Sequence, residues 1–255
     1  MNINETGKSD CDFNVLNVLY EDNHLLVVEK PRGMLSQADS SGDADMLSVL
    51  KSYIKEKYKK PGNVFIGLVQ RLDRPVGGLM VFARTSKAAS RISRQIRERQ
   101  FIKHYLAVVE GNIHEDKGTL EDMIVKDRAA NISKTISIEE SVRLSKVSVD
   151  HSMSLPKSAL LDYEVLSREP ERELSLVKIS IHTGRSHQIR TQFAAKGHPI
   201  VGDKKYGYAG SERNIALWAY SAAFKHPVGE ALLEFTCKPP YEYPWSVFNL
   251  NYGSL

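Results

Sequence analysis

Three short segments hold residue types that could do chemistry together. In "QRLDRPVGGL" (residues 70–79), Asp73 stands between Arg71 and Arg74, just ahead of two glycines and an apolar run. Neighbouring guanidinium groups favour the ionised carboxylate, which suits a nucleophile, a base or an electrostatic partner better than a general acid. Taken alone, the segment reads equally as a surface ion pair at a turn. In "KHYLAVVEG" (103–111), strand alternation puts Tyr105 on the same face as Lys103. The ring could stack on a base there, or simply fill the core. In "HTGRSHQIRTQFAAKG" (182–197), helical spacing sets His187 and Arg190 one turn apart, with Ile189 and Phe193 toward the core. An arginine in a first helical turn opposes the helix dipole, so a carboxylate or phosphate partner is expected. Arg185 and His187 add phosphate donors at the helix start.

Other chemistries find no residues to run on. The eight histidines include no i, i+4 pair and no grouping with acids and cysteines, so no metal site is expected. "GGLM" precedes a strand, whereas nucleotide-cradling loops follow a strand and open a helix, so no cofactor is expected either. Cys11 and Cys237 are too few for a disulfide framework and fit a reducing cytosol. The polar start "MNINETGKSDCDF" lacks an apolar signal core, and no run approaches the ~20 apolar residues of a membrane span. A cytoplasmic, monomeric protein is the expectation. The net charge of +4 is unevenly spread. Residues 84–103 carry seven basic side chains, Arg91 and Arg94 among them, against Glu98 alone. Such a cluster is the footprint of a polyanion site, or else a solvated helix face.

The elements that must position these groups follow from periodicity. Residues 1–12 read as a loose tail and 13–255 as one domain. Two short strands flank a turn at residues 21–23. A polar loop at 37–45 leads to a helix through "MLSVLKSYIKEKY". "GLMVFA" reads as a buried strand, and Thr85 or Ser86 caps a helix through "KAASRISRQIRER" with Ala88, Ile92 and Ile96 inward. "FIKHYLAVVEG", "ALLDYEVL" and "LSLVKISI" read as strands, and Ser186 opens the helix that Gly197 closes. "HPIVGD" and "LLEFTCKP" read as late strands. Residues 112–157 show only a hairpin or extended loops, whose Lys126, Arg128 and Lys134 could grip a substrate. Neighbouring strands lie too close in sequence for crossover helices, so a mixed, mostly antiparallel α+β sheet with flanking helices is expected.

Together the segments resemble the RluA-type family of RNA pseudouridine synthases. Its signature runs His-Arg-Leu-Asp, two variable residues and Thr-Ser-Gly-Leu, then Lys-x-Tyr-x-Ala, then Gly-Arg-x-His-Gln-Ile-Arg, Gly-x-Pro and Gly-Asp. Here these read "QRLDRPVGGL", "KHYLA", "GRSHQIR" and "GHPIVGD…YG", in order, with "YEDNHLLVVEKPRGM" before and "FKHPVG" after. The resemblance spans about residues 16–245 and implies a cofactor-free isomerase that acts on ribosomal or transfer RNA. Uracil is flipped from the stack, detached from its ribose and rejoined through carbon 5. It implies Asp73 as the catalytic aspartate, Tyr105 beside the base, Arg190 paired with Asp73, and Arg71 holding the opened RNA. Arg74, Arg91, Arg94, Lys103, Arg185 and His187 complete the expected RNA contacts. Three departures stand out: Gln70 for His, Val76-Gly77 for Thr-Ser, and Trp218 where His is usual. A catalytically silent RNA-binding relative is the alternative. The small basic RNA-binding domain that some relatives carry at the N-terminus is not expected.

Overall fold

The computed structural model describes residues 16–146, 152–229 and 231–248; the expected tail lies outside them. The strands are β1 (Val18–Glu21), β2 (Leu25–Lys30), β3 (Gly67–Leu68), β4 (Gly77–Ala83), β5 (Ile102–Glu110), β6 (Lys117–Asp127), β7 (Ile132–Ile136), β8 (Lys157–Glu169), β9 (Leu174–Ile181), β10 (Leu217–Lys225) and β11 (Leu232–Thr236). The helices are α1 (Met46–Lys57), α2 (Ser86–Arg97), α3 (Ile138–Lys146) and α4 (Gln188–Ala195). All strands join one sheet in the order β1-β2-β4-β10-β5-β9-β8-β6-β7, with β11 on β10 and β3 on β4. Among the described strands only β4 and β10 pair in parallel, beside an isolated parallel bridge from Leu35 to Asp45. The mixed, mostly antiparallel α+β architecture is the one expected. No helix among the described residues is long and apolar enough to cross a membrane.

Local sequence explains the helix starts. Asp45 accepts the Ser48 N–H to cap α1, and Thr85 accepts the Ala88 N–H to cap α2. Along α2, Ala88 and Ile92 are buried as expected, but Gln95 rather than Ile96 completes the buried face. Its amide replaces a strand partner, donating to Lys225 O (2.8 Å) and accepting the Lys225 N–H (3.0 Å). On the sheet, Tyr105, Ile179 and Tyr163 form one cross-strand row. α4 lies on that face, with Phe193 edge-on to Tyr163 at 5.7 Å. The opposite row (Ser221, His104, Ser180, Asp162, Thr119) is polar. This two-faced alternation is what antiparallel strands with one covered side require.

Three expectations are corrected and one strand is added. Residues 112–157 hold the hairpin of β6 and β7, but also α3, whose Ile138 and Val142 stay exposed. "HPIVGD" forms a single bridge from Ile200 to Val109 and then turns. Residues 217–225 form a central strand that the pattern did not reveal. Their burial is nearly continuous, and the register against β5 shifts between Ala219 and Ser221, so clean alternation is lost. Finally, α4 begins at Gln188, with His187 rather than Ser186 at the N-cap.

β10 also accounts for two of the sequence's departures at once. Trp218 pairs with Gly77, and a Cβ built on Gly77 would overlap the indole six-membered ring. The ring occupies the space a side chain at position 77 would need, and Trp218 Nε1 donates to Cys237 O at 3.0 Å. Gly78, at φ +115°, has its missing Cβ directed at the Ala219 backbone, so the chain can turn into β4 only as glycine. Gly77 and Trp218 are therefore one packing unit. We predict that G77S costs about 2 kcal/mol through overpacking and that W218H costs about 3 kcal/mol through a cavity. In urea denaturation, the G77S/W218H double variant should recover at least about 1 kcal/mol of their sum. Strict additivity would show that ring and glycine are not coupled.

Candidate active site

The site forms where the 71–76 turn meets the start of α4. Arg190, buried in the first turn of α4, carries the expected carboxylate partner and a second one. Its Nη1 donates to Asp73 Oδ2 at 3.1 Å, while Nε and Nη2 grip Asp203 Oδ2 and Oδ1, both at 2.7 Å. Burial works against the Arg190 charge, yet the Asp203 and Asp73 carboxylates raise its pKa above the usual value. Side-chain exposure separates the two acids: 1% for Asp203 and 28% for Asp73. Asp203 is an anchor, and Asp73 is reachable. Among the described residues no donor reaches Asp73 Oδ1.

Tyr105 is buried beside this pair; burial, then the Asp73 charge, raise its phenol pKa, so it stays neutral. It shares its face with Lys103, as expected. Both line a small cavity of about 10 Å³ with Gln70, Leu79 and Ala219. Burial lowers the Lys103 amine. A groove of about 450 Å³ lies elsewhere, among His104, Lys117, Asp162, Lys178 and Ser180, and touches none of Asp73, Tyr105 or Arg190. Asp73, partly exposed, lines neither of these two cavities.

His187 completes the inner site: Nε2 lies 3.8 Å from Asp73 Oδ2 and Nδ1 lies 2.7 Å from Tyr206 Oη. Burial pushes its imidazole down to about 4 against the pull of Asp73, and Arg190, Lys126 and Lys205 add to the effect. It is thus a neutral group of the inner site, where the sequence suggested a phosphate donor at the helix start. Tyr206 also lies under Arg190, 5.0 Å from guanidinium carbon to ring centre.

The remaining expected residues are placed unevenly. Arg71 is exposed beside Asp73, with no ion pair among the described residues. Arg74 is half-exposed, bonded to Asp43 at 2.7 Å and to Gly33 O at 3.0 Å. Arg185 uses its Nε on Ser158 O at 2.8 Å. The α2 stripe is not at the site. Arg91 donates to Pro227 O and Gln95 bonds Lys225, at the end of β10 six residues beyond Ala219, which pairs with Gly78. That is ~20 Å along the strand. Arg94 is exposed on the same helix.

Several contributing residues escaped the sequence reading. Asp203 was visible only as part of "GD", although a first-turn arginine called for a carboxylate or phosphate partner. Lys30 is fully buried, donating to Pro31 O (3.0 Å) and Arg74 O (3.1 Å), so it fastens the turn that presents Asp73. Burial pushes its amine down to about 8, with Asp73 opposing and Arg74 adding. Ser36 fixes the other side of the turn, accepting the Leu72 N–H (3.1 Å) and donating to Leu72 O (2.8 Å). Lys126 had a signal as a hairpin lysine, whereas Lys205 had none; both act on His187 electrostatically.

Comparison with known proteins shows the family. A family profile described as RNA pseudouridylate synthase matches residues 24–195. The chain is 33% identical over 229 residues to the dual-specificity RNA pseudouridine synthase RluA of Pasteurella multocida, covering 89% of this chain and 94% of that one. It is 32% identical over 239 residues to an uncharacterized RNA pseudouridine synthase of Aquifex aeolicus, covering 88% of this chain and 70% of that one. Human RNA Pseudouridylate Synthase Domain Containing 4 shares the fold, with a TM-score of 0.69 at 22% identity over 88% of both chains. With the profile spanning the Asp73 turn, the Tyr105 strand and the start of α4, the chain belongs to the RNA pseudouridylate synthase family, isomerases that act on RNA.

Proposed function

We propose that this chain converts uridine to pseudouridine in ribosomal or transfer RNA, with Asp73 as the reactive group. The observation that carries the assignment is the Asp73–Arg190–Asp203 arrangement. A carboxylate is held by one oxygen and left open on the other, beside the buried ring of Tyr105. The reaction breaks the bond from C1′ to N1, forms one from C1′ to C5, and moves a proton from C5 to N1. Attack by Asp73 on the sugar and abstraction of a ribose proton by Asp73 both need it unprotonated, which the Arg190 charge favours. Arg190 acts through Asp73, and Tyr105 supplies a neutral surface for the flipped uracil. The set is intact, which weighs against a silent RNA-binding relative.

RNA grip is assigned first to Arg71, exposed beside Asp73, and to Lys126 and Lys205, which act on the adjacent His187. Arg74, Arg185 and Lys103 contribute less, because each is tied or buried. The α2 stripe of Arg91 and Arg94 is an outlying contact.

The direct test is release of tritium from RNA labelled at uracil C5. D73N should lower release at least ~10³-fold while RNA affinity stays within about threefold. Equal release by wild type and D73N would remove Asp73 from the mechanism. For the RNA grip, K126Q/K205Q should weaken RNA binding and reduce the slope of log K against log salt by ~1.4 to 1.8. R94Q serves as the distant control and should change the slope by less than half of one contact. The reverse ranking would put the RNA on α2.

A further inference from the structure

His187 has a conformation that its place at the start of α4 does not explain. Its backbone is left-handed, at φ 54° and ψ 24°, which is uncommon for a residue with a side chain. As N-cap it could satisfy a free helix N–H, yet its side chain makes no capping bond. The ring instead turns inward, buried, with one nitrogen on Tyr206 and the other toward Asp73.

The hydrogens of this chain of contacts can be assigned from its outer end. Ser133 is buried on β7 with every polar group engaged. Its Oγ donates to Ser186 O (2.7 Å), its carbonyl accepts from Thr191 Oγ1 (3.2 Å), and its N–H donates to Tyr206 Oη (2.8 Å). Tyr206 Oη therefore accepts from a donor that cannot reverse, because a backbone amide has no other role. The proton of Tyr206 has one acceptor within reach among the described residues, His187 Nδ1 at 2.7 Å. A nitrogen that accepts this bond carries no proton, so the neutral ring holds its hydrogen on Nε2. That N–H faces Asp73 Oδ2 at 3.8 Å, too far for a direct bond.

We propose that His187 is a neutral hydrogen-bond donor to an oxygen of the flipped nucleotide lying against Asp73, and that Tyr206, oriented by Ser133, is the positioning residue that fixes its tautomer. The role rests on the isomerase reading; the tautomer does not. Asp73, Arg190, Tyr206, Lys126 and Lys205 are the charged or titratable groups that act on the ring. The three cations and burial hold it neutral, so a donor is present without adding charge beside Arg190. The nucleotide supplies acceptors at its uracil carbonyls and ribose oxygens, and charge that develops on uracil as the C1′–N1 bond breaks strengthens such a bond. Because Ser133 belongs to β7, the hairpin that carries Lys126 is joined directly to this donor.

The experiment is long-range ¹⁵N–¹H correlation of the histidine rings in the whole protein at pH 7, with His187 assigned by loss of its signals in H187Q. The expected pattern is a neutral ring protonated at Nε2. Y206F, which keeps the aromatic ring under Arg190, should shift His187 toward the other tautomer and raise its pKa. A ring protonated at Nδ1, an imidazolium at pH 7, or a Y206F spectrum unchanged at His187 would overturn the assignment. Single-turnover tritium release then tests the donation. H187L should slow release roughly 10²-fold, and H187Q, which retains an amide donor, by less than about tenfold, with RNA affinity unchanged in both. Equal losses in the two variants would remove the donor role. If H187Q does not fold, Y206F alone decides through the size of its rate loss and its tautomer. Absence of release by wild type would strike the isomerase reading and leave the tautomer result standing.

Discussion

The site depends on one guanidinium held between two carboxylates. Arg190 is buried in the first turn of a helix, where neither solvent nor the helix dipole favours a positive charge. It is tolerable there because Asp203 meets it with two parallel 2.7 Å bonds, the geometry that best repays desolvation. Those two bonds leave Nη1 aimed at Asp73, so the orientation of the Asp73–Arg190 pair is set from behind by a residue that faces no solvent. The rest of the fold serves this junction. α4 lies on the apolar face of the sheet, Lys30 and Ser36 fasten the Asp73 turn, and Gly78 lets the chain run from that turn directly into β4.

Around the ion pair the protein has built neutrality. Tyr105 and His187 are both buried next to Asp73, and burial moves their pKa values in opposite directions, up for the phenol and down for the imidazole. Both changes remove charge. What remains is Arg190 with its two carboxylates, Asp73 and Asp203, and neutral partners beside Asp73. Arg71 is exposed beside Asp73, and Lys126 of the β6–β7 hairpin acts on His187.

How much of this was legible depended on how local each cause was. The apolar run of β4, the Thr85 cap and the hairpin of β1 and β2 follow from neighbouring residues and could be read directly. The Asp73–Arg190 pairing came through the resemblance: a first-turn arginine called for a carboxylate or phosphate, and only the ordered motifs named Asp73. β10 could not be read, because its burial on both sides and its shift at Tyr220 erase the period that identifies a strand. α3 was hidden for the opposite reason: Ile138 and Val142 are exposed, so its apolar positions do not mark a core face. The basic stripe of α2 illustrates the limit of charge counting. Composition marked it as a polyanion site, but only the contacts of Gln95 and Arg91 with residues 225–227 reveal that it lies far from Asp73. The pairing of Gly77 with Trp218 needed the sheet register, since 141 residues separate two departures that have a single steric cause.

Asp203 gives the most direct test of the central claim, because it touches no substrate in this account. The decisive measurement is single-turnover tritium release by D203N, which keeps the side-chain shape and one acceptor while removing the charge behind Arg190. The account predicts a loss of roughly 10²-fold or more with RNA affinity retained and the folded state intact by thermal melting. Release at the wild-type rate would show that Arg190 holds Asp73 without its anchor, and the account would be wrong.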